Sequence, residues 1–426
     1  MLPNEKELIS LIPEKNYRDL RFIQEEIKKS GHTSYLIGGS VRDLLLNHIP
    51  DEYDLTTSLH PNGVKSLFKR VIETGIKHGT VTVLIKDCSY EITTFRTESK
   101  YSDGRHPDSI EFGTSLSEDI LRRDFTMNAI ALDLLDEVLI DEHNGISDIQ
   151  NKIIRTIGNP VDRFSEDGLR PIRAIRFHST LGFTIDEQTY SAIHKTREIT
   201  SKISRERFHD ELMKILKTPS PLNGLKELLR HNFFSLFWGV DEIEADCMTA
   251  LMKLPRIQSS ELSLRIAYLF FHLLEDTKKI ETVLRNLKFS NERIKIANFS
   301  IPYFSKISEN LWSSENIKHD FSNYLQTFGK NSVREGIKYF SELANLMENS
   351  RFSSEITNKL NSILERNEPL LLSDLSLNGN DLKLNFPDLD KKEYGTALKS
   401  CLDLVLNDPE KNQKEELITF LRKKGF

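Results

Sequence analysis

Apolar residues follow two different patterns along this chain, and the pattern changes near residue 147. Before that point, short apolar runs at 35–37, 81–85 and 90–96 alternate with amphipathic stretches, and the runs predict β-strands. Beyond it, apolar residues recur at helical spacing, as in LRPIRAIRFHSTLGF and ERFHDELMKILK. The predicted fold class is therefore α+β, with a mixed β-sheet in an N-terminal head and helices in the remainder.

Prolines divide the helical remainder further. Candidate boundaries lie near Pro219–Pro221 and near Asn367–Pro369, where proline interrupts the helical pattern. The sequence thus predicts a division into four parts, of which only the first holds a sheet: 1–146, 147–218, 219–366 and 367–426.

Composition and charge narrow the class of protein. Hydrophobic residues make up 38% of the 426 positions, enough for a sizeable core, and no run approaches the roughly 18 apolar residues of a membrane span. With a charged N-terminal stretch, this predicts a cytoplasmic protein. The net charge of −6 argues against a nucleic-acid partner, but residues 151–217 carry 13 Lys and Arg against 9 Asp and Glu. The three cysteines (Cys88, Cys247 and Cys401) are too far apart for a zinc ribbon or a disulfide framework.

A glycine turn follows the first predicted strand. Gly38 and Gly39 close the run 35–37, and a helical pattern containing Arg42 begins there. Glycines allow backbone N–H groups to approach an anion closely, and the guanidinium of an arginine binds phosphate in a forked geometry. The segment predicts a phosphate site, with an ordinary tight turn as the alternative.

An acidic segment, residues 51–57, lies shortly after this turn. If it is a strand, Glu52 and Asp54 share a face and Asp51 points away. Paired carboxylates repel one another unless a cation joins them, and Mg²⁺ prefers carboxylates together with substrate phosphates. Alone the segment also fits a solvated acidic turn. Together with the glycine turn, it predicts metal-dependent nucleotidyl transfer.

A third motif, residues 121–129 (LRRDFTMNA), combines basic and polar side chains. The paired Arg122 and Arg123 suit phosphate neutralisation, Asp124 is placed to orient an arginine, and Asn128 to bind a sugar hydroxyl. A surface basic pair with a capping aspartate is the alternative.

In the fourth motif an aspartate precedes regularly spaced arginines. Asp167, Arg170, Arg173 and Arg176 recur every third residue beside apolar positions, and we expect them to lie along one helical stripe. An aspartate accepts hydrogen bonds and an arginine donates them, so together they can imitate the pairing edge of a base. Surface ion pairing is the alternative.

In this order, the motifs resemble those of the class II tRNA nucleotidyltransferase and bacterial poly(A) polymerase family. The matching stretches are LIGGSVRDLLL, DEYDLTTS, EITTFRTE, LRRDFTMNAIALD and EDGLRPIRAIRFHSTLGF. The resemblance implies a polymerase-β-like nucleotidyltransferase head at 1–146, a neck at 147–218 that recognises the base, a body at 219–366 and a tRNA-binding tail at 367–426. It further implies that tRNA, CTP and ATP are partners and Mg²⁺ the cofactor, with no membrane and no protein partner.

The same resemblance implies roles for individual residues. It assigns Mg²⁺ binding and catalysis to Glu52 and Asp54, and nucleotide binding to Gly39, Arg42, Arg123, Asp167, Arg170, Arg173 and Arg176. Within that set Arg123 helps to hold the triphosphate, while Asp167 and Arg170 read the base. The family most often has Asp-x-Asp where this chain has Glu52-Tyr53-Asp54, so Asp51 remains an alternative first metal ligand if the strand bulges there.

Two local features favour one member of the family. CC-adding members resemble this chain but have a shortened loop, whereas here the loop 96–107 has its full length. Poly(A) polymerases usually carry an arginine pair where this chain has 77–80 (KHGT). We therefore expect complete CCA addition. Addition of A alone and poly(A) synthesis are the alternatives, and an RNA-binding protein with an inactive head is a remote one.

Overall fold

A mixed β-sheet organises the N-terminal part of the chain. The computed structural model describes residues 2–99, 109–112, 115–238, 245–274, 277–347, 349 and 351–426. Its strands are β1 (Ser34–Ile37), β2 (Asp54–Thr57), β3 (Val71–Gly75), β4 (Thr80–Ile85), β5 (Cys88–Thr94), β6 (Arg96–Ser99), β7 (Ser109–Phe112), β8 (Ala131–Asp133), β9 (Val138–Ile140), β10 (Ile153–Ile154) and β11 (Thr184–Ile185). The three predicted strands correspond to β1, β4 and β5.

Seven of these strands form one sheet in the order β3-β4-β5-β2-β1-β8-β9. β2 and β5 run parallel, whereas the other neighbouring pairs are antiparallel. The predicted mixed sheet is thus confirmed. Strands β6 and β7 form a separate hairpin, whose connecting residues 100–108 lie outside the described residues.

Helices surround the sheet and make up the rest of the chain. Helices of the first half are α1 (Glu5–Ser10), α2 (Glu14–Lys29), α3 (Gly39–Leu45), α4 (Pro61–Leu67), α5 (Leu116–Leu121), α6 (Gly145–Gln150), α7 (Pro160–Glu166), α8 (Arg170–Leu181), α9 (Glu187–Lys195), α10 (Arg197–Thr200) and α11 (Arg205–Leu216). Those that follow are α12 (Leu222–Arg230), α13 (Phe233–Trp238), α14 (Ala245–Leu251), α15 (Leu262–Leu273), α16 (Thr277–Asn286), α17 (Asn291–Ser308), α18 (Ile317–Phe328), α19 (Val333–Ala344), α20 (Phe352–Glu365), α21 (Gly379–Asn385), α22 (Tyr394–Asn407) and α23 (Lys414–Lys424).

The chain forms two compact units. The first comprises Met1–Ile243 with Asn286–Lys288, and the second comprises Glu244–Arg285 with Phe289–Phe426. The finer division into four parts stays a prediction, although α6 spans the proposed boundary at 146. The predicted neck also contains a short parallel pair, β10 with β11. No described helix has the length and apolar character needed to cross a membrane.

Local sequence signals start the helices that matter for the site. The side chain of Asn159 accepts hydrogen bonds from the first turn of α7, which begins at Pro160. This combination is favourable because the cap satisfies free backbone N–H groups and proline needs none. Ser204 caps α11 in the same way, accepting from the backbone N–H of Arg207. Each of these helices therefore has a defined first residue.

Each unit has its own apolar interior. In the first, Leu36 and Ile37 of β1, which lies between β2 and β8, are fully or almost fully buried. In the second, Phe304, Phe321 and Phe340 are buried, and Trp312 Nε1 donates a hydrogen bond of 3.1 Å to Asp320. Two separate cores agree with the division of the chain into two units.

Candidate active site

The glycine turn lies between β1 and α3, against an arginine side chain. Gly38 has φ +80°, a conformation that disfavours residues with a Cβ. A Cβ at this position would lie 3.3 Å from Arg123 Nη1. Arg123 Nη2 donates to Asp119 at 3.3 Å, and its buried Nε has no partner among the described residues. The glycine turn predicted to bind phosphate and Arg123, predicted to hold the triphosphate, therefore lie next to each other.

Arg42 lies over the next glycine of the turn. A Cβ on Gly39 would be 3.5 Å from Arg42 Nη2, so the guanidinium folds back along the start of α3. Its Nε and Nη2 donate to Asp43 at 2.9 and 2.7 Å, and Nη1 donates to Asn128 at 2.7 Å. The structure thus brings Gly39 and Arg42 together and fixes the direction of the arginine.

Three carboxylates lie near one another at the start of β2. Asp54 is the first residue of β2 and is the register partner of Glu91 on the parallel strand β5. Partners in register project from the same face of a sheet. Burial raises the pKa of Asp54, and Glu52 raises it further while Arg123 opposes both. Burial also raises the pKa of Glu91, as do Asp54 and Glu52.

The prediction that Glu52 lies on a strand beside Asp54 was wrong. β2 begins only at Asp54, and Glu52 lies in the bend before it. The alternation of side chains along a strand therefore does not determine on which side of the sheet Glu52 lies. It lies in the bend two residues before Asp54, and its charge raises the pKa values of Asp54 and Glu91.

The donor set fits a metal ion that also binds the substrate. Within the part of the chain that the structure describes, no three Asp, Glu, His or Cys side chains form a complete protein-only site. Mg²⁺ is commonly held by one or two carboxylates, with water and substrate phosphates completing the shell. Asp54 and Glu52 offer the carboxylate oxygens that such an ion prefers. The missing ligands are those that a nucleotide triphosphate would bring.

An arginine cluster surrounds Phe177 of α8. The guanidinium carbons of Arg42, Arg173 and Arg176 lie 5.1, 5.6 and 3.6 Å from the centroid of its ring. Arg176 Nε donates to Glu211 of α11 at 2.7 Å. Burial lowers the pKa of Arg176 and Glu211 counteracts this. Three arginines predicted to bind the nucleotide, from two separate helices, are therefore brought together.

A chain of hydrogen bonds connects this cluster to the glycine turn. Asn128 accepts from Arg42 and donates from Nδ2 to Asp124 at 3.1 Å, and Asp124 accepts from Arg173 Nε at 2.7 Å. Burial disfavours the ionised Asp124, but Arg173 and the hydrogen bond from Asn128 outweigh it and lower its pKa to about 2. Asp124 therefore orients an arginine, as predicted. Asn128, predicted to bind a sugar hydroxyl, makes these two hydrogen bonds within the protein, and the sugar contact stays a prediction.

The proposed base-reading residues lie on either side of a turn. Asp167 follows the end of α7 and Arg170 begins α8, so Asp167 is not part of the expected helical stripe. The two side chains have different partners. Arg170 donates to Glu166 at 2.5 Å and to two backbone carbonyls, while Asp167 accepts from Arg207. Because an arginine has five N–H groups, two of those of Arg170 have no acceptor within the described part of the chain.

Comparison with known proteins supports one family. Residues 34–155 match the family model of the Poly A polymerase head domain, and residues 182–238 match a model described as a probable RNA and SrmB-binding site of polymerase A. Over 414 residues the chain is 34% identical to a CCA-adding enzyme of Ligilactobacillus salivarius, covering 94% of this chain and 95% of that one. The chain belongs to the CCA-adding enzyme family. It is a nucleotidyltransferase that processes tRNA.

Other comparisons agree with this family. A CCA-adding enzyme of Lactobacillus johnsonii is 51% identical over 193 residues, which span 45% of this chain and 48% of that relative. A crystal structure of the Bacillus stearothermophilus CCA-adding enzyme in complex with CTP is similar with a TM-score of 0.79 at 29% identity, covering 96% of this chain and 97% of that one. The Thermotoga maritima enzyme complexed with tRNA has the same fold, with a TM-score of 0.69 at 19% identity over 100% of this chain and 99% of that one. CCA-adding nucleotidyltransferases are generally metal-dependent enzymes.

Several residues of the candidate site had no task assigned from sequence. Glu91 is found only through the register of β2 with β5, although its position in YEITTFR placed it opposite the buried Tyr90 and Ile92. Glu211 and Arg207 carry no signal beyond a helical segment rich in charge. Their partners lie 35 and 40 residues away in the chain, which no local pattern reveals.

Proposed function

We propose that this enzyme adds the complete CCA sequence to the 3′ end of tRNA, using CTP and ATP without a nucleic acid template. In each addition the RNA 3′-hydroxyl attacks the α-phosphate, the bond to the β-phosphate breaks and pyrophosphate leaves. The observation that supports this most is the position of Asp54, Glu52 and Glu91 near Arg123 and the glycine turn. These are the parts that nucleotidyl transfer needs, in a chain similar over nearly its whole length to a CCA-adding enzyme.

We propose Mg²⁺ as the metal, held by Asp54 and Glu52 with phosphate oxygens of the nucleotide. When bound, it supplies positive charge that neutralises the triphosphate and favours the ionised 3′-hydroxyl. Glu91, on the same face of the sheet as Asp54, adds negative charge that favours the bound cation. Placement of carboxylates on adjacent strands keeps them fixed while the substrates change.

The nucleotide is assigned to the surface formed by the turn and the arginine cluster. Arg123 and Gly39 contact the triphosphate, and Arg42, Arg173 and Arg176 provide further positive charge around Phe177. Asp167 and Arg170 read the base, for which Arg170 has two N–H groups without a hydrogen-bond acceptor among the described residues. The remaining helical parts, as neck, body and tail, hold the tRNA by shape and backbone. We place the reaction in the cytoplasm.

Substitution of the reading residues should change selectivity more than rate. We expect Asp167→Ala and Arg170→Ala each to reduce discrimination among nucleotides about ten-fold or more, because a base loses a hydrogen-bonding partner. The measurement is kcat/KM for single incorporation of each nucleotide. Asp162→Ala is the control, since Asp162 is exposed on the adjacent helix α7. Unchanged selectivity in both variants would show that the two residues are structural.

The choice among the family's reactions is tested with tRNA transcripts that end before CCA, after C and after CC. Each is supplied with CTP, ATP or both. We expect the shortest transcript to gain CCA and then to stop. A single A added only to the CC-ended transcript would make the protein an A-adding enzyme, and long A tracts would make it a poly(A) polymerase. Absence of incorporation on every transcript would support an inactive RNA-binding head.

A further inference from the structure

A two-point ion pair connects the turn after α7 with helix α11. Arg207 Nη1 donates to Asp167 Oδ1 at 2.9 Å, and Arg207 Nη2 donates to Asp167 Oδ2 at 2.7 Å. The two residues are 40 positions apart in the chain. Bidentate pairing between arginine and a carboxylate fixes both the position and the plane of the carboxylate. The orientation of Asp167 is therefore set by a residue outside its own turn.

The backbone around this pair leaves little freedom. A Cβ on Gly168, the residue after Asp167, would lie 2.6 Å from the carbonyl oxygen of Ile199. The turn therefore rests directly on the backbone of α10, which leads into α11. At the start of α11, Ser204 accepts a hydrogen bond from the backbone N–H of Arg207. The backbone on both sides of the ion pair is therefore fixed, at Asp167 by the contact with α10 and at Arg207 by the Ser204 cap.

The hydrogen bonds leave one oxygen of Asp167 available. Its Oδ1 accepts from Arg207 and also from the backbone N–H of Leu169 at 3.0 Å. Among the residues that the structure describes, its Oδ2 accepts only from Arg207. A carboxylate oxygen has two lone pairs, so Oδ1 is saturated and Oδ2 keeps one. Oδ2 is therefore the atom of Asp167 that a base can reach with a hydrogen-bond donor.

An ionised carboxylate accepts hydrogen bonds and has no proton to donate. Cytosine and adenine carry an exocyclic amine, which donates, whereas uracil carries a carbonyl oxygen at the position of the cytosine amine. A charged, fixed Asp167 oxygen therefore pairs with cytosine and repels uracil. A carboxylate that lost the fork of Arg207 would be free to rotate, and its oxygen would no longer be held where it distinguishes the two bases.

We propose that Arg207 is a positioning residue for base selection, which holds the carboxylate of Asp167 in place and aims Oδ2 at the exocyclic amine of CTP and ATP. This inference rests on the base-reading role of Asp167 in the proposed function. It adds a specificity determinant in α11, outside the motifs that bind nucleotide. Arg207 itself does not contact the substrate.

The test uses the full chain and single incorporation of CTP or UTP into tRNA transcripts ending before CCA. We expect Arg207→Ala to lower the ratio of kcat/KM for CTP to that for UTP at least about ten-fold. Arg207→Lys keeps the charge but loses the fork, and should give an intermediate ratio. Arg205→Ala, an exposed position of the same helix, is the matched control with an unchanged ratio. Thermal unfolding and tRNA binding confirm that each variant is folded.

An unchanged or increased CTP to UTP ratio in Arg207→Ala would overturn the proposal. A purely structural role would lower incorporation of both nucleotides by the same factor and leave the ratio as it was, which also contradicts it. If Arg207→Ala does not fold, the CTP to UTP ratio of Arg207→Lys is the test, and an unchanged ratio there would overturn the proposal. Asp167→Ala in the same assay distinguishes a failure of base reading by Asp167 from a failure of the positioning role of Arg207. A normal ratio there contradicts base reading itself, whereas a lowered ratio with normal Arg207 variants contradicts only the role of Arg207.

Discussion

Nucleotide incorporation is expected to fall about a thousand-fold or more when Asp54 is replaced by alanine, while tRNA binding is retained. Asp54 is a proposed metal ligand fixed at the start of β2, with Glu91 as its register partner. Loss of metal-assisted charge stabilisation costs several kcal/mol in the transition state, and about 1.4 kcal/mol corresponds to a ten-fold change in rate. The measurements are single-turnover incorporation of CTP and tRNA binding by filter retention.

Neighbouring acidic residues provide controls for this result. Glu52→Ala should also impair incorporation strongly, because Glu52 raises the pKa values of both Asp54 and Glu91 and so lies close to them. Asp51→Ala is the matched control and should incorporate at nearly the normal rate. Wild-type activity should disappear on chelation and return with added Mg²⁺. Normal turnover of the Asp54→Ala variant would contradict the proposed catalytic role, and a large effect of Asp51→Ala alone would move the first metal ligand to that residue.

The second large effect is expected at the ion pair between the buried Asp124 and the partly buried Arg173. Asp124→Asn should lower the free energy of unfolding by about 3 kcal/mol, because it removes the carboxylate that pairs with Arg173. It should also reduce incorporation, since Asp124 connects Arg173 with Asn128 and Arg42. Urea denaturation and single-turnover kinetics measure the two effects.

The same pair predicts a dependence on pH. The pKa of Asp124 is lowered to about 2 in the folded protein, from roughly 3.9 in an unfolded chain. Its contribution to stability is therefore complete above about pH 4 and is lost as the pH falls towards 2. The stability difference between the wild type and Asp124→Asn should narrow over that interval. Below about pH 2 the two proteins should unfold at similar urea concentrations.

An exposed ion pair serves as the control for this experiment. Lys28 and Asp136 lie 3.4 Å apart, with more than half of each side chain exposed. Asp136→Asn should change the free energy of unfolding by less than about 1 kcal/mol, because water screens the pair. Equal destabilisation by Asp124→Asn and Asp136→Asn would contradict the importance of the buried pair.

The sequence alone determined the local features of this protein. Short apolar runs predicted β1, β4 and β5, and helical periodicity predicted the helices of the remainder. The glycine turn after β1 was evident from Gly38 and Gly39. These features follow from interactions between residues close together in the chain, where spacing determines which side chains share a face. The sequence also gives the residue types at the site directly, and with them the chemistry that the site can perform.

Only the tertiary structure decided which of these residues meet. β2 begins at Asp54, which removes Glu52 from the strand, and its parallel pairing with β5 places Glu91 beside Asp54. Asp167 forms its ion pair with Arg207 from α11, 40 positions away in the chain. Strand register and helix packing depend on the burial of whole faces, a property of distant segments taken together. A charged side chain therefore has a predictable chemistry from its sequence, but its partner is chosen by the packing of the elements around it.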